Sequence, residues 1–462
     1  MKKMAILGVF CAATGQILST SPAAAAAPPD TLDVRLAPIT SGGLTSDQVA
    51  QRAQETSFDA AARRHALAAA EARLEQAKLA YYPRLTFTGS YTRLSDVPPL
   101  VFGSQSIVLP LNRYLAQATV AVPVSDYVLR LSQSYAAASR SQRAAQLDQQ
   151  AARLKAGADG RLAYYAWLRA KGQLVVAERA HDQAKAHLED ARHAFEVGTT
   201  SKADVLRVES QVASAELVVA QAKNLVELNE DQIRTAMHDA SGRRYEVGED
   251  LRSDPPPVAD VDNLAALRAE ALDRRLEVRA LDETAWSLRE QSKVARAGYY
   301  PRVDVVGNAV YANPNPRYFI PDATFRESWD VGVQLVWTPN DSFNARAASA
   351  ETEARASQTE MQKEVLRDSV KLEVIQAYNA LREAEVAMQT TQRGLASAEE
   401  GYRVRRELFK NGRATSVELT DSELELFRAS LEAINARANL RAGRARLLHA
   451  VGRDIPAATA AR

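Results

Sequence analysis

The sequence predicts a mainly α-helical protein that also carries membrane-type β-strands, and three observations support this fold class. The chain repeats itself once, in the motif Tyr-Tyr-Pro-Arg and in the segments around it. Long Ala-rich stretches place apolar residues at a strict spacing of three and four, which is typical of coiled-coil helices. Four segments of about 11 residues alternate apolar and polar side chains, as tilted membrane strands do.

Composition limits the class of protein. The 462-residue chain carries 58 Lys and Arg against 57 Asp and Glu, and this net charge of +1 argues against a nucleic-acid-binding protein. Charged residues make up 25% of the chain and aromatic residues 6%, which favours long helices over a compact α/β enzyme.

The N-terminus predicts a signal peptide over residues 1–26. Lys2 and Lys3 precede an apolar segment, and the small residues of 21–27 offer a cleavage site. Lipidation of Cys11 is the alternative, but bulky Phe10 precedes it where a small residue is expected. Cys11 is the single cysteine, so cleavage of the signal peptide would leave a mature chain without a thiol. No later apolar run reaches about 18 residues, so any membrane span would be built from strands.

An internal repeat divides the rest of the chain. Residues 81–84 recur at 299–302, and residues 195–211 align with 409–425. The predicted division is a first repeat at 27–238, a connector at 239–262, a second repeat at 263–452 and a C-terminal tail at 453–462. The connector is rich in Gly, Pro and Asp, which are typical of a boundary.

Each repeat is predicted to hold one helix before its motif and one helical hairpin after its strands. The first helices cover 46–82 and 263–298. The hairpins cover 127–238 and 341–452, each with a long helix of roughly 105 Å and a shorter returning helix. A seam is a row of apolar residues, spaced by three and four, along which a helix packs against its neighbours. Three seams are predicted: Val205, Val208, Val212, Ala215, Val219, Ala222 and Val226; Val370, Val374, Ala377, Leu381, Ala384 and Met388; and Val417, Thr420, Leu424, Phe427, Leu431, Ile434 and Ala438.

The turns of the two hairpins form exposed tips. Gly198 and Gly412 suit left-handed C-caps, and Ser201 and Thr415 suit the N-caps of the returning helices. Two interpretations remain open: the tips are merely helix caps, or they bind a partner hairpin. The tip residues are Val197, Gly198, Thr199, Thr200 and Ser201 in the first hairpin and Asn411, Gly412, Arg413, Ala414 and Thr415 in the second.

The four strands are predicted at 84–94, 114–124, 302–312 and 328–338. Their apolar faces suit a lipid-facing barrel, with Trp329 and Trp337 in two aromatic girdles. The residues assigned to lipid are Leu85, Phe87, Tyr91, Val120, Val122, Val303, Val305, Trp329, Val331, Val333, Leu335 and Trp337. The opposite face assigns Thr86, Thr88, Asp304, Asn308 and Gln334 to the lumen. A soluble sandwich is the alternative.

Four strands cannot close a barrel, and lipid does not tolerate an open sheet edge. Two copies would give eight strands with a filled interior, and three would give twelve with room for a lumen. The helix-to-strand joints are Pro83, Arg84, Pro301 and Arg302, where proline ends the helix and arginine suits a polar membrane rim.

The pattern resembles the TolC-like outer-membrane channel family, which serves efflux pumps and type I secretion. The resemblance rests on the twofold repeat, on Pro-Arg at each helix-to-strand change, and on "VGTTSKADVL" at 197–206. It implies a homotrimer in the Gram-negative outer membrane, with a 12-stranded barrel continuous with a periplasmic helical barrel. It also implies passive conduction, with the tips docking to a periplasmic adaptor and to an inner-membrane transporter of the RND, ABC or MFS type. The second tip departs from the pattern, since Arg413 stands where the first tip has Thr199.

Charged residues near the second tip suggest a closing contact at the periplasmic aperture. Glu399, Glu400 and Arg403 would form rings of like charge under threefold symmetry, so a closed state would need Glu–Arg pairing between helices. A solvated helix face with pairs three and four residues apart is the alternative.

No catalytic constellation, cofactor motif or metal site is predicted. His181, His187 and His193 are spread around their helix at intervals of six residues, and we expect them on a solvated surface. A periplasmic adaptor or a structural coiled-coil envelope protein is the alternative function. An adaptor would carry one hairpin beside compact β domains, and a scaffold would not need amphipathic strands.

Overall fold

A computed structural model describes residues 40, 42–96, 98–102, 105–107, 109–253, 261, 263–319 and 322–454. The predicted signal peptide with Cys11 lies outside the described residues. So do residues 254–260 and 262 of the predicted connector and residues 455–462 of the predicted tail.

Long helices dominate the described chain. The helices are α1 Ser46–Thr56, α2 Phe58–Leu79, α3 Ser132–Glu196, α4 Lys202–Ala236, α5 Leu264–Arg274, α6 Leu276–Arg296, α7 Asp341–Lys410 and α8 Ser416–Val451. A short helix at Val124–Asp126 and a π-helical segment at Tyr127–Leu131 lead into α3, and a 3₁₀ turn at Ala297–Tyr299 follows α6. With 65 and 70 residues, α3 and α7 extend for roughly 98 and 105 Å.

The single helices predicted over 46–82 and 263–298 are wrong, because each is broken into two. The backbone is extended at Ser57 (ψ 127°) and at Arg275 (ψ 120°). The Ser57 hydroxyl accepts the N–H of Ala60 and caps α2, so it competes with continuation of the helix. Arg275 turns inward at the second break and donates to Glu277 and Glu373.

The strands are β1 Arg84–Arg93, β2 Leu100–Phe102, β3 Gln105–Ile107, β4 Asn112–Val122, β5 Arg302–Asn313 and β6 Arg326–Val336. β1, β4, β5 and β6 form one antiparallel sheet in the order β1-β4-β5-β6. The hairpins of the two halves therefore meet through β4 and β5, and β1 and β6 are the terminal strands. β2 and β3 pair separately; the sequence reasoning, which found only four strands, missed them because they are too short to show alternation.

The largest hydrophobic cluster joins the two halves in the middle of the helices. Tyr164 and Trp167 of α3 are fully buried there, together with Val49 of α1 and Ile434 of α8. The Tyr164 hydroxyl donates to the carbonyl oxygen of Leu44 over 2.8 Å, so the buried phenol is hydrogen-bonded. This cluster fixes the hairpins relative to each other well away from their tips.

The predicted seam of α7 is buried from Val370 to Ala384, whereas the predicted seam of α8 is buried only at Ile434 and Ala438. Val417 and Leu424 are 44% and 45% exposed. α8 packs against both α7 and α3, so two neighbours determine its buried face. A row shifted by one position is buried along the whole helix and also has three–four spacing: Ser416, Leu419, Glu423, Leu426, Ser430, Ala433, Arg437 and Leu440.

Candidate functional site

The first tip is a tight turn between α3 and α4. Gly198 adopts a left-handed backbone with φ 77°, and the N–H of Thr199 donates to the carbonyl oxygen of Ala194 over 2.9 Å. This is the bonding of a Schellman C-cap. The Ser201 hydroxyl accepts the N–H of Asp204, whose carboxylate in turn accepts from Ser201, so a capping box starts α4.

The second tip repeats this geometry between α7 and α8. Gly412 has φ 68°, and the N–H of Arg413 donates to the carbonyl oxygen of Leu408 over 2.8 Å. Thr415 and Glu418 form the second capping box. The Asn411 side-chain amide also donates to the carbonyl oxygen of Glu407 over 2.7 Å. Both turns are therefore held by local bonds, which leaves their outer surfaces available for contact.

The two tips present different chemistry to solvent. Val197 and Thr199 are exposed on the first, while Arg413 is exposed on the second, and Thr200 and Ala414 are half-buried. The Ser201 hydroxyl holds the pKa of Asp204 below its ordinary value. The Thr415 N–H does the same for the pKa of Glu418. Both caps therefore stay ionised at neutral pH, and the tips can offer surface contacts.

Glu399, Glu400 and Arg403, the residues predicted at the periplasmic aperture, make two kinds of contact. Glu399 of α7 accepts from Arg179 of α3 over 3.1 Å, which joins the two hairpins, and the Arg179 side chain is 7% exposed. Glu400 pairs with Arg403 one turn along α7, where both side chains are mostly exposed. The structure thus brings Glu399 into a partly buried interhelical pair and keeps Glu400 and Arg403 on the solvated face.

The expected surface position of His187 is wrong, because its side chain is 1% exposed. Its Nδ1 lies 3.2 Å from Oε2 of Glu423, and its Nε2 lies 3.2 Å from the hydroxyl of Ser416. Both partners belong to α8, which crosses α3 at this point. His193, six residues further along α3, is exposed as expected.

Arg179 and Glu423 are further contact residues that are not among those predicted from the sequence. An ionisable residue at an apolar position of a three–four seam could have indicated such a contact, because a buried charge needs a partner. That signal required the correct seam of α8, in which Glu423 lies between Leu419 and Leu426.

The sheet separates apolar and polar side chains onto two faces. Opposed residues of antiparallel strands share a face, and Leu85 lies opposite Val120, which lies opposite Gly307 and then Val331. The register therefore places the predicted lipid-facing residues within the strands on one side: Leu85, Phe87, Tyr91, Val120, Val122, Val303, Val305, Trp329, Val331, Val333 and Leu335. Trp337 was predicted on this strand but lies one residue beyond the end of β6.

The opposite face of the sheet carries a hydrogen-bonded polar ladder. Thr119 donates to Asn308 over 2.8 Å, and Asn308 donates to Asp330 over 2.9 Å. Thr86 lies opposite Thr119, and Gln117 also donates to Asn308. This ladder crosses three strands and makes the face hydrophilic.

Both Tyr-Tyr-Pro-Arg motifs lie at a change from helix to strand. α2 ends four residues before Pro83, and β1 begins at Arg84; Pro301 and Arg302 occupy the matching positions before and at the start of β5. The Tyr127 hydroxyl donates to the carbonyl oxygen of Tyr81 over 2.7 Å, which ties the first joint to the start of the long helix.

The described residues give no sign of a metal centre or a helical membrane span. Within the described ranges, His, Cys, Asp and Glu do not gather in groups of three that could hold a metal ion. Nor does any described helix contain an apolar stretch long enough to cross a membrane.

Solved structures of outer-membrane channels share this fold. The Campylobacter jejuni CmeC outer membrane channel matches with a TM-score of 0.75 at 14% identity, covering 90% of this chain and 89% of that one. The Vibrio cholerae outer membrane protein VceC matches with a TM-score of 0.73 at 16% identity, covering 88% and 96%. The open state of the Neisseria gonorrhoeae MtrE outer membrane channel matches with a TM-score of 0.71 at 16% identity, covering 88% of each chain. A sequence comparison with curated proteins gave no match.

This chain thus combines two long helical hairpins with a four-stranded sheet that has one apolar face. It shares this fold class with the outer-membrane channels. The sequence model of the outer membrane efflux protein family matches this chain at residues 49–237 and again at 267–453. The protein belongs to the outer membrane efflux protein family. Its family is one of channels, and the resemblance stated from the sequence is confirmed.

Proposed function

We propose that the protein is the passive exit duct of a tripartite efflux or type I secretion system. It would form a homotrimer whose 12-stranded barrel spans the outer membrane and whose helical barrel extends into the periplasm. Family membership supports the channel role. The observation that carries the assembly is the open four-stranded sheet with one apolar face.

The sheet argues for assembly because its terminal strands, β1 and β6, each pair on one side only within the described chain. Unpaired backbone groups are not tolerated in lipid, so the sheet must close on further copies. Three copies supply twelve strands and a lumen lined by the polar ladder, whereas two copies would supply eight and a filled interior.

The helices offer a matching surface for neighbouring copies. Leu206, Leu217 and Leu228 of α4 are each more than half exposed. They follow one another at 11-residue intervals, and 11 residues make about three helical turns, so they lie on one face. Burying this row against another copy would remove apolar area from water.

We also propose the division of the chain. Residues 1–26 would be removed as the signal peptide, 27–238 and 263–452 would be the two repeats, 239–262 the connector and 453–462 the tail. The two matches of one family model, at 49–237 and 267–453, support the twofold repeat.

The tips at 197–201 and 411–415 would dock to a periplasmic adaptor and, through it, to an inner-membrane transporter. The shared tip geometry supports this, because each hairpin ends in a preformed turn with exposed residues. Glu399, Glu400 and Arg403 would contribute to the aperture. Pro83, Arg84, Pro301 and Arg302 would lie at the membrane rim, below strands that contact lipid.

Expression of the full chain in a Gram-negative host would test this proposal. We expect a heat-sensitive trimer in the outer-membrane fraction, ion conductance of the purified trimer in planar bilayers, and co-purification of an adaptor and a pump. A protein that stays monomeric and soluble would overturn the channel assignment. A conducting trimer that binds no adaptor through variants of either tip would overturn the docking assignment alone.

A further inference from the structure

The polar face of the four-stranded sheet carries more arginine than aspartate. Alternate residues of a strand share a face, so Arg84 of β1 lies with Thr86, and Arg113 of β4 lies with Thr119. The register across the sheet adds the charged residues of β5 and β6. The charged residues of this face are Arg84, Arg113, Arg302, Arg326, Asp304 and Asp330. Four guanidinium groups against two carboxylates leave a surplus of two positive charges in each protomer.

The apolar face of the same sheet has no such surplus. Its charged residues within the four strands are Arg93 and Glu327, and their charges cancel. Arg93 ends β1 and Glu327 is the second residue of β6, so both lie at the end of the sheet away from the helices. The excess positive charge is therefore confined to the polar face, which would line the lumen of the proposed barrel.

Both aspartates of the polar face already have a positive partner. Nε of Arg302 donates to the carboxylate of Asp304 over 2.8 Å. Nη1 of Arg317, in the segment between β5 and β6, lies 3.7 Å from Oδ1 of Asp330. These two carboxylates are therefore compensated by arginines other than Arg84 and Arg113.

The remaining arginines of the polar face differ in their surroundings. Arg326 donates to Asp322 over 2.6 Å. Arg84 and Arg113 are exposed, and neither makes a hydrogen bond or an ion pair with any residue that the structure describes. Arg84 begins β1 beside the helices, whereas Arg113 lies opposite Thr92 near the other end of that strand. An uncompensated guanidinium therefore lies at each end of the polar face.

We propose that Arg84 and Arg113 give the lumen of the barrel a preference for anions. In a trimer each of them becomes a ring of three positive charges, and rings of arginine select anions in pores. The wall between the two rings is built from hydroxyl side chains of β1 and from the polar ladder, which add hydrogen-bonding groups. Small anions therefore pass the barrel more readily than cations of the same size. This inference rests on the proposed trimeric channel and adds the class of solute that its barrel favours.

Reversal potentials of purified trimers in planar bilayers test this preference. A KCl gradient across the bilayer gives the ratio of chloride to potassium permeability for the wild type and for Arg113→Gln. The helical barrel is the same in both proteins, so a difference between them reports on the sheet. We expect Arg113→Gln to lower the ratio roughly twofold at about 0.1 M KCl, where the Debye length is about 10 Å. At about 1 M KCl the Debye length falls to about 3 Å, so the difference should largely disappear.

Three further variants separate charge from position and from shape. Arg84→Gln removes the ring at the other end of the face and should lower the ratio in the same way. Arg113→Lys keeps the charge and should keep the wild-type ratio. Arg93→Gln is the matched control, because it removes an arginine at the same end of the sheet but from the apolar face. Its ratio should equal that of the wild type.

The possible failures are distinguishable. Trimers of Arg84→Gln and Arg113→Gln that conduct with the wild-type permeability ratio would overturn the anion preference and leave the proposed channel standing. A ratio that falls in Arg113→Lys as far as in Arg113→Gln would show that shape and not charge matters, and would also overturn it. An equal fall in Arg93→Gln would contradict the assignment of the two faces. A wild-type protein without conductance would overturn the proposed channel itself, and this inference with it.

Discussion

Arg179 of α3 and Glu399 of α7 form an ion pair of 3.1 Å that joins the two hairpins on the tip side of the central core. The Arg179 side chain is 7% exposed and the Glu399 side chain 25%. Removing one partner of a fully buried pair destabilises by about 3–5 kcal/mol, and partial hydration of Glu399 reduces this figure. If the closed aperture depends on this pair, Glu399→Gln should raise the open probability of the trimer in planar bilayers.

Glu364→Gln is the matched control for that measurement. Glu364 pairs with Arg367 within α7, away from the proposed aperture residues, and the two side chains are 51% and 39% exposed. Exposed pairs contribute about 0–1 kcal/mol, so conductance and open probability should stay close to the wild type. An unchanged open probability in Glu399→Gln would exclude the Arg179–Glu399 pair as a closing contact.

The close approach of α3 and α8 predicts that Gly172→Ala is destabilising. A Cβ added at Gly172 would lie 2.8 Å from Cγ2 of Ile434 and 3.2 Å from its Cδ1. Ile434 is fully buried and cannot move aside. Overpacking of this kind costs about 1–3 kcal/mol, so the apparent Tm by circular dichroism in detergent should fall.

Gly394→Ala in α7 is expected to have the opposite effect on thermal stability. A Cβ added there meets nothing within 4 Å. Alanine favours the helix over glycine by about 0.5–1 kcal/mol, so the Tm should stay constant or rise. Equal Tm values for the two variants would show that α3 and α8 are not in close contact at Gly172.

The structural features predicted correctly from the sequence are those that a single local pattern determines. Gly198 and Gly412 were assigned as C-caps and have positive φ, and Ser201 and Thr415 were assigned to capping boxes that are present. The alternation of β6 likewise assigned Val331 and Val333 to one face. In each case residues a few positions apart determine the geometry, so the three-dimensional context was not needed.

The predictions are wrong where contact with another helix determines which residues are buried. Leu424 satisfies the three–four spacing of α8, but contact with α3 as well as α7 moved the buried row to Leu419, Glu423 and Leu426. His187 looked like a surface residue because its partners are more than 200 positions away in the chain. No pattern local to α3 contains those contacts.

Acid should loosen the caps of both tips. The pKa values of Asp204 and Glu418 are lowered from ordinary values of 3.8 and 4.5, chiefly by hydrogen bonds from Ser201 and Thr415. A lowered pKa in the folded state means that the stabilisation is present above the ordinary value and is lost as pH falls from that value through the lower folded-state pKa. Amide exchange at the first turns of α4 and α8, corrected for intrinsic rates, should therefore rise from about pH 5 downward.

Glu418→Gln tests the cause of that acid response. The amide keeps an oxygen that can accept from the Thr415 N–H but carries no titratable proton, so exchange at the start of α8 should no longer rise with acid. The start of α4, with Asp204, should keep the wild-type profile in this variant. A full acid response at α8 in Glu418→Gln would mean that other carboxylates cause it.

The two faces of β6 predict opposite outcomes for the same new charge. Val333 lies on the apolar face and is 74% exposed in the protomer, while the next residue, Gln334, lies on the polar face opposite Asp304. A lysine facing lipid near the bilayer midplane costs a barrel about 2–4 kcal/mol, whereas a lysine facing the lumen is tolerated. Val333→Lys should therefore reduce the heat-sensitive trimer in outer-membrane fractions, and Gln334→Lys should leave its amount unchanged. If Gln334→Lys were the more damaging variant, the apolar face would lie inside the assembly and the proposed barrel would be wrong.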